Sequence, residues 1–216
     1  MSLSTLELNY VQPISISYTQ ELDGGGTKFG LEYVPIIQSR YPSRIFKKCY
    51  EWCSGPGFIG FGILSSGQCS TLCFSDIYQP AIDCVNVTVE QNKLNGIVSS
   101  YTTGDLALLP LTEQFDLVVS NPPHYAEVRD YATENEKRIC VDADWEAHKN
   151  FFAHIRDHLL PDGVILLQEN MKGSTAETFE PFIEAAGLKI TDWFKSPSYF
   201  STTGKAQIYY IEIKHK

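Results

Sequence analysis

From Lys47 onward the chain alternates short apolar, strand-like runs with helix-length segments. That alternation restricts it to a mostly parallel sheet with helices on both faces. The first run, Lys48–Cys53, ends in Ser54-Gly55-Pro56-Gly57 and passes into an apolar helical stretch, Phe58–Leu64. Ser70–Asp76 is a second strand, leading through Pro80 into a helix over Ala81–Leu94, and Ile97–Thr102 is a third, closed by Gly104-Asp105. The fourth, Phe115–Ser120, stops at Asn121-Pro122-Pro123, because neither proline can donate to a ladder. A polar stretch, Glu127–Asp142, precedes a helix with apolar residues at Phe151, Phe152, Ile155, Leu159 and Leu160, stopped by Pro161-Asp162-Gly163. Val164–Gln168 is a fifth strand, and a helix over Ala176–Ala186 ends at Gly187. Leu188–Phe194 and Ala206–Lys214 follow with only a loop between them, so they pair antiparallel. The expected fold class is therefore α/β: a doubly wound, seven-stranded, mostly parallel sheet with an antiparallel C-terminal strand pair.

The 216 residues suit a single well-filled core. Residues 47–216 make the α/β domain, and residues 1–46 form a preceding segment. That segment carries Asp23-Gly24-Gly25-Gly26-Thr27-Lys28-Phe29-Gly30 ahead of a helix reaching about Arg40. A glycine loop of this kind suits a lid, with Thr27 and Phe29 toward substrate; a disordered leader is the alternative.

A net charge of −9 opposes the phosphate backbone, so nucleic acid is expected to be an unlikely partner. The six cysteines, with no signal peptide in view, point to a reduced, cytoplasmic protein. Cys49 and Cys53, like Cys69 and Cys73, are four apart, a spacing that could hold zinc. Both pairs fall in buried strands or their ends, where Cys acts as a small hydrophobe, so no metal is expected. No apolar run approaches the roughly 20 residues that span a bilayer.

The chemistry concentrates just beyond the strands' carboxyl ends, where open α/β sheets bind ligands. Gly55-x-Gly57-x-x-Gly60 opens a helix directly after a strand, as a nucleotide-binding turn requires. A plain tight turn or a dinucleotide site of the oxidoreductase type are its rival readings. Asp76 ends the second strand and can accept two ribose hydroxyls, or cap a helix. Asp105 follows the third strand, where an ordinary turn Asp is the alternative. Asn121-Pro122-Pro123-His124 follows the fourth.

Glu51-x-Cys53-x-Gly55-x-Gly57, the two acids and Asn121-Pro122-Pro123-His124 together resemble class I, Rossmann-like S-adenosylmethionine-dependent methyltransferases with an Asn-Pro-Pro-aromatic motif. The motif is similar to that of the glutamine N5-methyltransferase and adenine-N6 methyltransferase families. Cys53 replaces the signature's first glycine, and His124, followed by Tyr125, replaces its aromatic residue. The resemblance implies S-adenosyl-L-methionine as cofactor. It would be held by Glu51, Cys53, Gly55, Gly57, Phe58, Asp76, Ile77, Asp105, Leu106 and Asn121.

Asn121 and Pro122 would be catalytic. The Asn121 side-chain oxygen and the Pro122 carbonyl can each accept one N–H of an amide, guanidine or aromatic amine, turning the lone pair toward the methyl. Pro123, His124, Tyr125 and Glu169 would contact substrate. Glu127, Asp142 and Asp144 could meet a cationic one, though acids there are expected mostly as solvated surface. With nucleic acid disfavoured, the expected acceptor is a small molecule such as an amino acid. A protein side chain is possible, and a non-enzymatic scaffold of the same fold is the non-catalytic alternative. A homodimer could complete the short amino-terminal segment.

Overall fold

A computed structural model describes residues 2–127, 133–204 and 206–216. Two strands, β1 (Ser4–Leu8) and β2 (Ile14–Tyr18), form an antiparallel hairpin. The helices α1 (Gly26–Phe29) and α2 (Tyr33–Arg40) follow. The main sheet is built from β3 (Phe46–Trp52), β4 (Cys69–Asp76), β5 (Val98–Thr102), β6 (Phe115–Ser120), β7 (Leu159–Asn170), β8 (Leu188–Phe200) and β9 (Gln207–His215). Its order is β5-β4-β3-β6-β7-β9-β8. The pairs β3/β4, β4/β5 and β6/β7 are parallel, and β9 runs antiparallel to both β7 and β8. The crossovers carry α3 (Phe58–Ser65), α4 (Gln79–Gln91), α5 (Glu134–Cys140), α6 (Glu146–His154) and α7 (Ala176–Ala185). The expected class and the antiparallel end of the sheet are both observed. Among the described residues, no helix is long and apolar enough to cross a membrane.

The chain divides into two compact units, Met1–Gly104 and Asp105–Lys216. In the first unit α3 is buried along its whole length, as its all-round apolar sequence requires. The amino-terminal hairpin is bound to α4: the Ser17 N–H donates to Thr88 Oγ1 at 2.9 Å and the Ser15 N–H to Asn92 Oδ1 at 2.9 Å. Ile14 and Ile16 are buried, so this segment is packed structure and not a loose leader.

In the second unit β6 is buried at all six positions, which suits a central parallel strand. Two sequence expectations change here. Leu159 and Leu160 open β7 instead of closing the preceding helix, which gives way at His154 to a tight turn. Pro161-Asp162-Gly163 then sits in a register shift of β7: Leu159 pairs with Phe115 and Val164 with Leu117, so the proline's missing donor costs no ladder bond. The polar stretch after Glu127 contains a helix, α5, closed at its start by a reciprocal capping box between Thr133 and Glu136. Residues 128–132 of that stretch lie outside the described residues.

Thr88→Val keeps the shape of the α4 contact but leaves the buried Ser17 N–H without its acceptor. A loss of about 1–3 kcal/mol is expected, seen as a lower midpoint in urea with an unchanged m value.

Candidate active site

Two groups of residues collect the predicted chemistry, one in each compact unit. In the first unit β3 delivers Glu51 to the turn before α3. The side chain is 2% exposed, and its Oε2 accepts the Gly60 N–H at 2.6 Å. Burial pushes its carboxyl up to about 8, against the opposing pull of the Gly60 and Ile59 N–H groups. Glu51 thus braces the turn.

Gly55 and Gly57 have φ +51° and +84°. A Cβ on Gly57 would meet Phe74 and Phe61 within 2.9 Å, so this glycine serves packing. A Cβ on Gly55 would meet only the Leu22 carbonyl, at 4.0 Å, so this glycine keeps an open cradle. Cys53, at the place of the missing first glycine, is itself held at φ +52°. The position demands a left-handed backbone, and Cys meets that demand under strain.

Asp76 closes β4 with Oδ2 accepting the Gly55 N–H at 2.8 Å and Oδ1 the Tyr78 N–H at 2.9 Å. It therefore orients the glycine turn and is not the cap of α4, which begins at Gln79 behind Tyr78. Gly26 packs so closely on this region that a Cβ would lie 2.3 Å from the Phe58 ring, and Tyr18 meets the same ring edge-on at 5.2 Å. The Thr27 hydroxyl donates to Asp23, and the Phe29 ring lies against Gly25. Phe58 is buried, while Ile77 stands 73% exposed.

In the second unit Asp105 accepts the Ala107 N–H at 2.9 Å and the Asn150 side-chain N–H at 3.2 Å. These bonds, the Ala107 one foremost, lower its pKa. It caps a tight turn whose first residue, Leu106, is buried in the core. Asn121 follows β6 directly. Its Oδ1 is buried with no hydrogen-bond partner among the described residues, an uncommon state for a buried amide oxygen.

The loop from Pro122 to Tyr125 is fastened from several sides. Tyr125 donates its N–H to the Cys140 carbonyl at 3.1 Å and accepts from the Asp142 N–H at 2.9 Å. A Cβ on Gly173 would fall 1.8 Å from the His124 carbonyl oxygen, so only glycine fits against this backbone.

The site residue that sequence reasoning missed is His148 of α6. It is fully buried, with Nδ1 2.6 Å from Asp142 Oδ2 and Nε2 3.0 Å from Glu169 Oε1. Burial pulls its pKa down, but the hydrogen bonds and charges of Asp142 and Glu169 outweigh it and set the value at about 9. Burial likewise opposes ionisation of Asp142 and Glu169, yet their histidine partners bring both below the ordinary carboxylate range. His148 also stacks on Phe179 at 4.6 Å and meets the edge of Trp145 at 5.3 Å.

The second Glu169 oxygen lies 3.2 Å from His124 Nδ1. Glu169 and Asp142 are therefore interior groups and not solvated acids; Glu127 and Asp144 remain at the surface. An i to i+6 spacing of Asp142 and His148 carries no periodic signal, because the connecting turn holds Asp144 and Trp145 at positive φ.

Comparison with known proteins gives a consistent result. The profile of the methyltransferase small domain family matches residues 33–188. The chain is 29% identical over 106 residues to the ribosomal RNA small subunit methyltransferase C of Buchnera aphidicola subsp. Acyrthosiphon pisum. That alignment covers 49% of this chain and 30% of the relative, so the chain spans less than a third of that protein's length. Among solved structures, the 16S rRNA N2 G1207 methyltransferase of T. thermophilus, in complex with AdoMet and guanosine, shares the fold with a TM-score of 0.64 at 16% identity. It is matched over 98% of this chain and 51% of that one. The tRNA m1G37 methyltransferase of M. jannaschii gives 0.61 at 16% identity, over 99% and 57%.

Two stability measurements follow. Cys53→Gly removes the left-handed strain and is expected to raise Tm, by the equivalent of roughly 1 kcal/mol or less once glycine's own backbone entropy is counted. The His148 pKa lies above its unfolded value of 6.5, so its stabilisation is fully present below pH 6.5 and is lost as pH rises through about 9. Glu51, raised from 4.5 to about 8, adds a loss in the same direction between those values. Thermal unfolding between pH 6.5 and 9.5 should show the loss, the His148 part being on the order of 3 kcal/mol. His148→Gln should flatten the alkaline limb.

Proposed function

The chain belongs to the methyltransferase small domain family; we propose that it is an S-adenosylmethionine-dependent methyltransferase whose acceptor is an exocyclic amine of a nucleobase in RNA. The observation that carries this reading is the buried Oδ1 of Asn121 at the carboxyl end of β6, which has no hydrogen-bond partner among the described residues. Such an atom is stabilised when a donor arrives, and an aromatic amine brings two N–H groups. With Asn121 Oδ1 taking one and the Pro122 carbonyl the other, the nitrogen is held and its lone pair turned out of conjugation. Both carbonyl dipoles favour the positive charge that develops on nitrogen during transfer.

Residues of the first unit fit the cofactor. The open cradle at Gly55 admits a close approach to backbone, and Asp76, oriented by two N–H groups, suits a ribose. Glu51 acts on the cofactor through the turn it braces, and Gly26 and Tyr18 wall the same turn through Phe58. When bound, the cofactor supplies an electrophilic methyl.

The expectation that nucleic acid is an unlikely partner is overturned by the relatives, which are named for ribosomal and transfer RNA. The small-molecule preference that rested on it goes with it. Net charge sums the whole surface, whereas a base is taken by hydrogen bonds and stacking at one loop. The Asn121 and Pro122 carbonyls recognise N–H groups whatever the charge elsewhere.

Methyl transfer from labelled cofactor should appear in RNA, and not in a protein or amino-acid pool. Asn121→Ala should lower kcat by about 10²-fold or more without lowering Tm, since it deletes an unsatisfied buried group. Label found only in protein or small molecules would overturn the RNA assignment.

A further inference from the structure

We propose that His124 is the proton acceptor of the methyl-transfer reaction, with Glu169, His148 and Asp142 forming a buried chain that fixes its ring and faces the imidazolium it becomes. The inference deepens the amine-methylation reading above and rests on it. His124 is the last residue of Asn121-Pro122-Pro123-His124, and a ring placed there only to stack needs no carboxylate behind it. Here one stands there: Glu169 Oε2 is 3.2 Å from His124 Nδ1 and the Glu169 side chain is fully buried. Behind it the line continues at 3.0 Å to His148 Nε2 and at 2.6 Å from His148 Nδ1 to Asp142.

Asp142 is held in turn by the N–H groups of Ala147 and His148. The other groups around this line are Ser174, whose hydroxyl is 3.5 Å from Glu169 Oε2 and 3.1 Å from the Tyr209 hydroxyl, and Tyr209 itself. Burial, and then the charge of Glu169, push the Tyr209 phenol well up, so it stays neutral. Tyr125 meets the His124 ring edge-on at 6.4 Å.

The geometry sets the tautomer. With its Nδ1–H donated to Glu169, His124 turns Nε2 the other way, and that atom has no partner among the described residues. The side chain keeps 17% of its exposure, so the ring is reachable from outside while everything behind it is sealed. A neutral imidazole with Nδ1 fixed by a buried carboxylate is the arrangement that makes a general base.

The step balances as follows. The nitrogen lone pair forms the N–CH3 bond while the methyl's bond to the cofactor sulfur breaks, its electron pair staying on sulfur. The methylated nitrogen, now cationic, gives one N–H proton to His124 Nε2, and the electrons of that N–H bond return to nitrogen. The product is a neutral N-methylamine, and the imidazolium formed faces the Glu169 carboxylate.

The alternative is that the line of charges merely locks the motif loop. Three measurements on the full chain separate the two. In the protein without cofactor, long-range 1H–15N spectra of the imidazoles should show His124 as the Nδ1–H tautomer near pH 7.5; an Nε2–H tautomer would overturn the proposal whatever the substrate. His124→Phe, which keeps a ring for stacking, should lower kcat about 10²-fold or more with cofactor affinity unchanged. It should also abolish the acid limb of the kcat–pH profile; wild-type kcat in this variant would overturn the proposal. Glu169→Gln should lower kcat with KM held and move the acid limb, whereas a limb that stays in place would mark Glu169 as a structural brace and overturn the chain. If the wild type labels protein instead of RNA, the RNA assignment fails while these three readouts still decide the role of His124.

Discussion

The second unit is organised around one buried cation. His148 carries its charge between Asp142 and Glu169 because each carboxylate is within 3.0 Å of a ring nitrogen, an attraction that outweighs the opposing effect of burial. Holding it fixes four parts of the chain at once. Asp142 belongs to the segment bonded to Tyr125, His148 to α6, Glu169 to β7, and the second Glu169 oxygen reaches His124. The turn between Asp142 and α6 is strained to allow this, with Asp144 and Trp145 both left-handed at a cost of about 1–2 kcal/mol each. The strain is tolerated because the Asp142 carboxylate also satisfies the open N–H groups of Ala147 and His148.

The first unit depends on a smaller constraint of the same kind. The turn between β3 and α3 requires left-handed backbone at residues 53, 55 and 57. Two carboxylates brace it, Glu51 through Gly60 and Asp76 through Gly55. Each acid stabilises the loop by accepting a backbone N–H that a helix start or tight turn leaves open. Asp76 thus has a structural reason to stand where a ligand-binding acid is expected. The amino-terminal segment closes on the same turn by packing, with Gly26 against Phe58, and this explains glycines that resemble a mobile loop when only the sequence is considered.

How much of this was legible in the sequence follows from the range of the interactions. β6 is bounded by its own composition and by two prolines, and Phe115–Ser120 is both expected and observed. The antiparallel end of the sheet follows from a loop too short for a crossover. Leu159 and Leu160 were misassigned because an apolar pair fits a helix face or a strand equally well, and the register shift that absorbs Pro161 is a tertiary event. Glu169 was legible as a residue near the site but not as a buried one, and His148 was not legible at all. Their burial comes from neighbours 21 and 45 positions apart in sequence, a separation at which no periodicity operates.

Buried ion pairs are poor stabilisers. Taking charges out of water is costly enough that well-packed apolar residues in their place are often neutral or stabilising by about 1–4 kcal/mol. A core formed for stability alone would fill the space of Asp142, His148 and Glu169 with side chains like the neighbouring Phe179, on which His148 already stacks. It would also have no use for an amide oxygen buried, among the described residues, without a partner at Asn121. Both features lie at one end of one unit, on either side of Pro122 and Pro123, and each has a side without a partner among the described residues: an acceptor at Asn121 Oδ1 and a ring nitrogen at His124. In the proposed reaction, a nitrogen that loses a proton as it gains a methyl supplies what both lack. The residues that make this part of the fold least favourable as a core are thus the ones on which the proposed amine methylation rests.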